Sequence, residues 1–402
     1  MFQPKPLARI DFCVLALYFL LLPLKPLFAQ NQLQTNKLEQ LLKQLETAKE
    51  DTNKVNLLDK IATAYRGTDK QNVILYANRQ LELSKRLNWV KGEVLAYLTL
   101  GVEYHITNES QKAVEVCQRG YELAKNNHLP SFQYLLLERK ALANIDLKND
   151  DQALHELMET VEYYKGVNIS STIHPTAHST RWWFPAFQIG SVFGKQKRDA
   201  AALEFYGRLL DHYKLGNDTA NIINALNLIS TYKKSYTKDY NSALEYAFKN
   251  LDYYGKGDTS ISRAESFSSI ALLYSQQQNY VKALEYYRAA VALRPAGDLR
   301  TKMSVSSGMS EIYGLLGDYS SKLKLDLELL DNTIISTQGF VSIYVYEYGP
   351  IVEDYIALKK YDQALLYLNK ALQLSTKLEE PDMKASFLGM LSYIYYTSQG
   401  IN

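Results

Sequence analysis

The sequence predicts an all-α protein, a solenoid of stacked helical hairpins closed by one lone helix. Three observations carry this. Apolar residues recur at three- and four-residue spacings along nearly the whole chain, the mark of amphipathic helices. One pattern of large, small and large residues returns at near-constant intervals. Gly and Pro, at 19 and 10 in 402 residues, are too sparse for a loop-rich or linker-rich fold.

The pattern is clearest at Tyr97-x-x-Leu100-Gly101-x-x-Tyr104, followed nine residues later by Ala113-x-x-x-Cys117. It returns at Ala186-x-x-Ile189-Gly190-x-x-Phe193 with Ala202-x-x-x-Tyr206. Further copies are Phe267-x-x-Ile270-Ala271-x-x-Tyr274 with Ala283-x-x-x-Tyr287, and Tyr348-x-x-Ile351-Val352-x-x-Tyr355 with Ala364-x-x-x-Leu368. Weaker copies lie around Tyr65, Asn144, Tyr232 and Tyr313. The small residues stand where two helices must approach closely, and the large ones wedge between them. One such hairpin cannot bury its apolar faces alone, so neighbours stack.

These residues resemble the tetratricopeptide repeat over about residues 54–400. The resemblance implies a right-handed superhelix of about eight hairpins, near 54–86, 91–126, 131–165, 181–214, 217–255, 260–294, 298–336 and 340–377. Residues 30–53 form a helical lead-in, and 382–398 a lone helix. Aligning second helices on Ile74, Ala113, Ala153, Ala202, Ala243, Ala283, Lys322 and Ala364 gives steps of 39, 40, 49, 41, 40, 39 and 42 residues. The common repeat of this class has about 34, so the helices run long, near 17 residues each at about 25 Å. The 49-residue step holds an extra stretch at 165–180.

Residues 1–29 read as a secretory signal peptide: Lys5 and Arg9, an 11-residue apolar core from Phe12 to Leu22, and a cleavage site after Ala29. The core is too short to span a bilayer, and nothing after Gln30 is long and apolar enough. The expected product is periplasmic or secreted, with no stable membrane span. Cleavage leaves 42 basic and 42 acidic residues, which argues against nucleic acid as a partner. Cys117 is then the single cysteine, expected as a small buried hydrophobe.

No Walker loop, zinc-protease pair, nucleophile elbow or kinase signature is present. No catalytic residue, cofactor or metal site is expected, and the chain is read as a non-enzyme. His174 and His178 are four apart, either exposed loop residues or half of a metal site. Trp182 and Trp183 read as packing aromatics or as a ligand cage. The expected binding surface is the concave face lined by first helices: Leu98, Val102, His105, Phe184, Phe187, Ser191, Lys233, Lys234, Ser268, Leu272 and Ser275. Such a mixed lining suits an extended peptide or a partner helix, although Leu98 and Phe187 also fit a role in stacking hairpins.

An exported array of this kind resembles the extracytoplasmic part of bacterial sensor histidine kinases and related exported repeat proteins. That implies a protein- or peptide-binding scaffold or sensor module, with a membrane-bound signalling partner. The other reading is a helper subunit for envelope assembly or export. At the C-terminus, Phe387, Leu388, Leu391, Ile394 and Tyr395 form an apolar stripe expected to dock on the eighth hairpin, with Met390, Tyr393 and Tyr396 left outside. Either that end packs back on the array or the natural product continues.

Overall fold

The computed structural model describes residues 37–166, 182–255, 257–293, 299–336, 345–378 and 381–398. The proposed signal peptide, the 167–181 stretch and the His174/His178 pair lie outside them. The described residues are all-α, with no strand. They fall into two compact units, one of residues 38–322 and one built from Leu323 onward.

In the larger unit, helix α1 (37–47) precedes α2 (Thr52–Tyr65) and α3 (Lys70–Arg86). Then come α4 (Val90–Ile106) with α5 (Ser110–Asn126), and α6 (Pro130–Asp146) with α7 (Asp150–Gly166). Next are α8 (Trp183–Lys195) with α9 (Asp199–Leu215), and α10 (Thr219–Tyr232) with α11 (Tyr240–Leu251). Finally α12 (Ile261–Gln276) pairs with α13 (Tyr280–Leu293), α14 is Leu299–Leu315, and α15 (Tyr319–Ser336) begins. The smaller unit holds the rest of α15, a 3₁₀ turn (Val345–Glu347), α16 (Tyr348–Ala357), α17 (Tyr361–Lys377) and α18 (Pro381–Ser398). From α2 to α14 each helix packs on its sequence neighbours, and α2 also touches α4, α4 touches α6, α8 touches α10 and α12 touches α14.

The 40-residue period has a simple origin. Helices α4 to α7 are each 17 residues long. Three-residue turns join them, and each turn has its middle residue in the left-handed region: Asn108 (φ 59°), His128 (φ 56°) and Lys148 (φ 64°). Around Asn108, the amide of Glu109 bonds Tyr104 O at 2.8 Å and that of Asn108 bonds His105 O at 3.1 Å. This double closure satisfies the last carbonyls of the helix. The same pair of bonds recurs at Asn88, His128, Lys148, Lys197, Asn217, Gln278, Gly317 and Lys359. Only Gly317 in that set is free of the steric cost that a Cβ brings to this conformation.

Burial refines the sequence alignment. Val73, Ala113 and Ala153 are buried, as are Ala77, Cys117 and Leu157, then Gln80, Gly120 and Thr160, then Ser84, Ala124 and Tyr164. The equivalent of Ala113 in α3 is therefore Val73 rather than Ile74. In α15 Lys322 keeps its assigned place: its amide bonds Asp318 O at 3.0 Å, as the amide of Ala113 bonds Glu109 O at 3.1 Å. With this correction the first step of 39 becomes 40. Two adjacent residues both fitted the pattern, and only contact with the neighbouring helix selects one.

The core is a succession of local clusters, as expected where each repeat contacts only its neighbours. The tyrosines explain themselves here. Tyr65 of α2 stacks on Tyr76 of α3 at 5.7 Å, Tyr274 of α12 on Tyr286 of α13 at 5.5 Å, and Tyr355 of α16 lies 5.4 Å from Tyr367 of α17. Each pair fills the wedge between the two helices of its hairpin. Small residues set the close approach elsewhere: a Cβ on Gly101 would overlap the Cys117 sulfur, and one on Gly190 the Tyr206 hydroxyl. Cys117 is fully buried, and burial pushes its thiol up to about 12, so it serves as an apolar packing group.

In the smaller unit, the C-terminal helix docks as expected, through Phe387, Leu391 and Ile394 of the expected stripe, but not through Leu388 and Tyr395. Phe387 and Ile394 are buried, and Met383, Met390 and Leu391 pack beside them against α16 and α17. Leu388 and Tyr395, expected on the stripe, face outward, and Met390, expected outside it, packs inward. The contacting residues Met383, Phe387, Met390 and Ile394 keep strict four-three-four spacing.

Candidate functional site

Three groups of residues on first helices make up the expected binding face. On α4, Leu98 and Val102 are half-buried, and Leu98 packs into the cluster around Val94, Tyr97 and Leu136. His105 Nδ1 lies 3.0 Å from Asp146 Oδ2 of the next first helix, and Ser110 donates to the same carboxylate at 3.0 Å. Thr99 donates to Asp59 of the preceding first helix at 3.3 Å. This stretch is thus tied between hairpins by polar pairs, and Leu98 contributes to stacking.

A buried carboxylate belongs to the same stretch. Glu103 is 2% exposed and lies 4.0 Å from Arg66. Burial pushes its carboxyl up, against the opposing pull of Arg66 and Lys70. A carboxyl with a raised folded-state pKa contributes stability below its unfolded value and loses it as pH rises through the folded value. Glu103→Gln is therefore expected to raise the unfolding midpoint at neutral pH, with the gain shrinking towards about pH 4. Thermal melts across that range check this, and a lower midpoint at neutral pH would contradict it.

The second group is built by α8 and the end of α10. The step from Ala202 to Ala243 is 41 residues, one beyond the usual 40, and the extra residue is taken up by a π-helical turn, Lys233–Thr237. The turn closes with Thr237 Oγ1 on Lys233 O at 2.9 Å and Lys238 in the left-handed region. It carries Tyr236 onto α8, where the hydroxyl donates to Ser191 Oγ at 2.9 Å and the ring covers Gly194. Lys233 pairs with Asp239 at 3.3 Å. Lys234 has no carboxylate within ion-pair range among the described residues, and burial, then the Lys238 charge, lowers its ammonium pKa.

The two tryptophans at the start of α8 separate. Trp182 is core: it is 1% exposed, and its Nε1 donates to Asn221 Oδ1 at 2.8 Å. Trp183 is 37% exposed and stacks on Phe187, with ring centres 5.5 Å apart and planes 11° apart. Trp183, Phe187, Ser191 and Gly194 follow at helical spacing, so one face of α8 presents an aromatic row ending at the Tyr236 ring. Phe184 is half-buried beside it. The third group, Leu272 with Ser268 and Ser275 on α12, is half-buried, and Ser268 turns its hydroxyl to Ala264 O at 3.1 Å.

The structure thus brings Ser191 to the turn that carries Lys233 and Lys234, through Tyr236, and no hydrogen bond or ring contact among the described residues joins this turn to Leu98, Val102 or His105. Tyr236 escaped sequence reasoning; its one signal was the extra residue in the repeat. Among the described residues no three His, Cys, Asp or Glu side chains are placed to hold a metal. No described helix is long and apolar enough to cross a membrane.

No protein-family model and no curated protein matches the chain. Solved structures do. A STAND-class signal-transduction ATPase with a tetratricopeptide repeat sensor, from Pyrococcus horikoshii, aligns at a TM-score of 0.50 and 13% identity over 85% of this chain. The chain spans 52% of the length of that protein. A Rap protein complexed with competence and sporulation factor gives 0.41 and 13% over 91% of this chain and 98% of that one. The regulator NprR with its cognate peptide NprX gives 0.39 and 14%, covering 91% and 98%. At such identities the likeness speaks to architecture alone: the chain has the fold of a tetratricopeptide-type helical-repeat array.

Proposed function

We propose that this protein is a non-catalytic, exported binding module that captures an extended peptide or protein segment on the first-helix face of α8 and the π turn. One observation supports this most: a partly exposed Trp183 stacked on Phe187, on the α8 face that meets Tyr236 at Ser191, with Lys234 on the same π turn and no carboxylate within its ion-pair range among the described residues. An aromatic row binds apolar side chains with little loss of conformational freedom. A partly desolvated ammonium without a counter-ion favours a ligand carboxylate beside it. The chemistry fitted is thus a peptide with a large apolar side chain and a nearby acidic group. Export rests on the N-terminal segment, and N-terminal sequencing of the secreted product should begin at Gln30. A sensory role in a signalling system fits the same module, with a membrane-bound protein as the receiver.

The test is selection from a displayed peptide library on the full chain, followed by titration of the winners. Enriched peptides should combine an aromatic or branched apolar residue with Asp or Glu. Trp183→Ala should weaken binding by about 1–2 kcal/mol, or roughly 5- to 30-fold. Lys234→Gln should weaken acidic peptides more than their amidated forms. Peptides that bind equally well to both variants would overturn the site.

A further inference from the structure

One edge of the candidate site carries a surplus of positive charge. The end of α8 and the turn after it hold Lys195 and Lys197, and the π turn after α10 holds Lys234, followed by Lys238. The ends of α8 and α10 are held side by side: the Tyr232 hydroxyl donates to Asp199 at 2.6 Å, and the Tyr236 ring covers Gly194. The carboxylates closest in sequence are already engaged. Asp199 takes the Tyr232 bond, Asp239 caps α11 and pairs with Lys233, and Asp150 of the preceding hairpin accepts from Gln196 at 3.0 Å. None of Lys195, Lys197, Lys234 and Lys238 has a carboxylate within ion-pair range among the described residues.

The chain as a whole carries 45 basic and 43 acidic residues, so this surplus is local and not a matter of composition. Like charges gathered on one edge repel one another, and an anion among them relieves that repulsion. The surplus also continues the aromatic row. Trp183, Phe187, Ser191 and Lys195 follow at intervals of four along α8, so Lys195 stands one turn beyond Ser191 on the same side of the helix. It lies eight residues beyond Phe187 and twelve beyond Trp183. At the α-helical rise that is about 12–18 Å, the span of roughly four to six residues of extended chain.

We propose that these turns bind a block of acidic side chains in the captured segment, set roughly four to six residues from its apolar anchor. This rests on the aromatic row of α8 as the peptide site and adds the ligand's register. The anchor lies on Trp183 and Phe187, and the acidic block lies over Lys195, Lys197, Lys234 and Lys238. Lysine ammoniums are compact point charges on flexible stems, so they suit several carboxylates strung along a chain and do not demand one fixed oxyanion. Each exposed pair is weak alone; the gain comes from several held in register with the anchor.

The experiment is fluorescence-anisotropy titration of the full chain with labelled synthetic peptides. Each carries a Phe anchor and a Glu-Glu-Glu block separated by about two, five or ten Ser residues, made in both orders. In the better order the middle spacer should bind tightest, by about threefold: the short one cannot span the gap, and the long one lowers the effective concentration of the block. Lys195→Gln combined with Lys238→Gln should weaken that peptide about fivefold and flatten the spacer dependence. Peptides with Gln in place of the Glu block should bind both proteins alike. Lys214→Gln, at the exposed far end of α9, should change nothing. Affinity independent of the spacer, a double variant that binds as the wild type does, or an equal loss in Lys214→Gln would overturn the register and leave the aromatic site standing. Peptides whose binding never depends on Trp183 would remove the site itself and the register with it.

Discussion

Gly101→Leu is expected to destabilise the second hairpin by about 3 kcal/mol. The α-hydrogen of Gly101 faces α5, and even a single added carbon would overlap the Cys117 sulfur. A leucine there forces α4 and α5 apart along a contact where Ala113, Cys117 and Gly120 are all buried. In a repeat array the damage begins locally, since each hairpin leans only on its neighbours. Hydrogen exchange and limited proteolysis should therefore open residues 90–146 first, ahead of the more distant α12 and α13. Gly101→Ala should cost less, and adding Cys117→Ala should recover part of that loss, a coupling expected of touching side chains. An unchanged melt and cleavage pattern in Gly101→Leu would show that the close approach is not where the geometry puts it.

Ile394→Ala is expected to cost about 2–5 kcal/mol in the unit that begins at Leu323. Ile394 is fully buried, in one cluster with Ile351, Leu368, Ala371 and Phe387. Removing its branched end leaves a cavity against α16 and α17 that the surrounding helices fill only in part. Phe387→Ala belongs to the same class of loss. Tyr395→Ala, one residue along the same helix, should cost well under 1 kcal/mol, as surface changes do. Denaturant unfolding followed with a probe placed in this unit separates the two. Equal losses at Ile394 and Tyr395 would mean that α18 docks through the stripe that includes Leu388 and Tyr395.

That pair of substitutions marks where local sequence stops deciding. The helices themselves, their length near 17 residues and their pairing were legible, because amphipathic spacing and the small–large alternation are written into each hairpin and repeated many times. Repetition averages out local ambiguity, and one copy alone would have meant little. The burial of Cys117 and the close approach at Gly101 followed from the same pattern.

Other features were decided only by tertiary contact. Val73 stands next to Ile74, and the neighbouring helix selects Val73 as the buried member. The turns were largely hidden because Asn, His, Lys and Gln hold most of the left-handed positions where glycine would have announced them. Helix α18 is nearly apolar all round, so its sequence marks no unique face, and α16 and α17 choose Phe387 and Ile394 over Leu388 and Tyr395. The candidate site shows the same division. The sequence pointed to Phe187, Ser191 and the Lys233–Lys234 pair as face residues. What brings Ser191 to the turn that carries that pair is one extra residue in a 40-residue period, stored as a π turn that carries Tyr236 onto Ser191. Periodicity determines which residues face a neighbour; the packed neighbour alone determines which of two near-equal faces is buried.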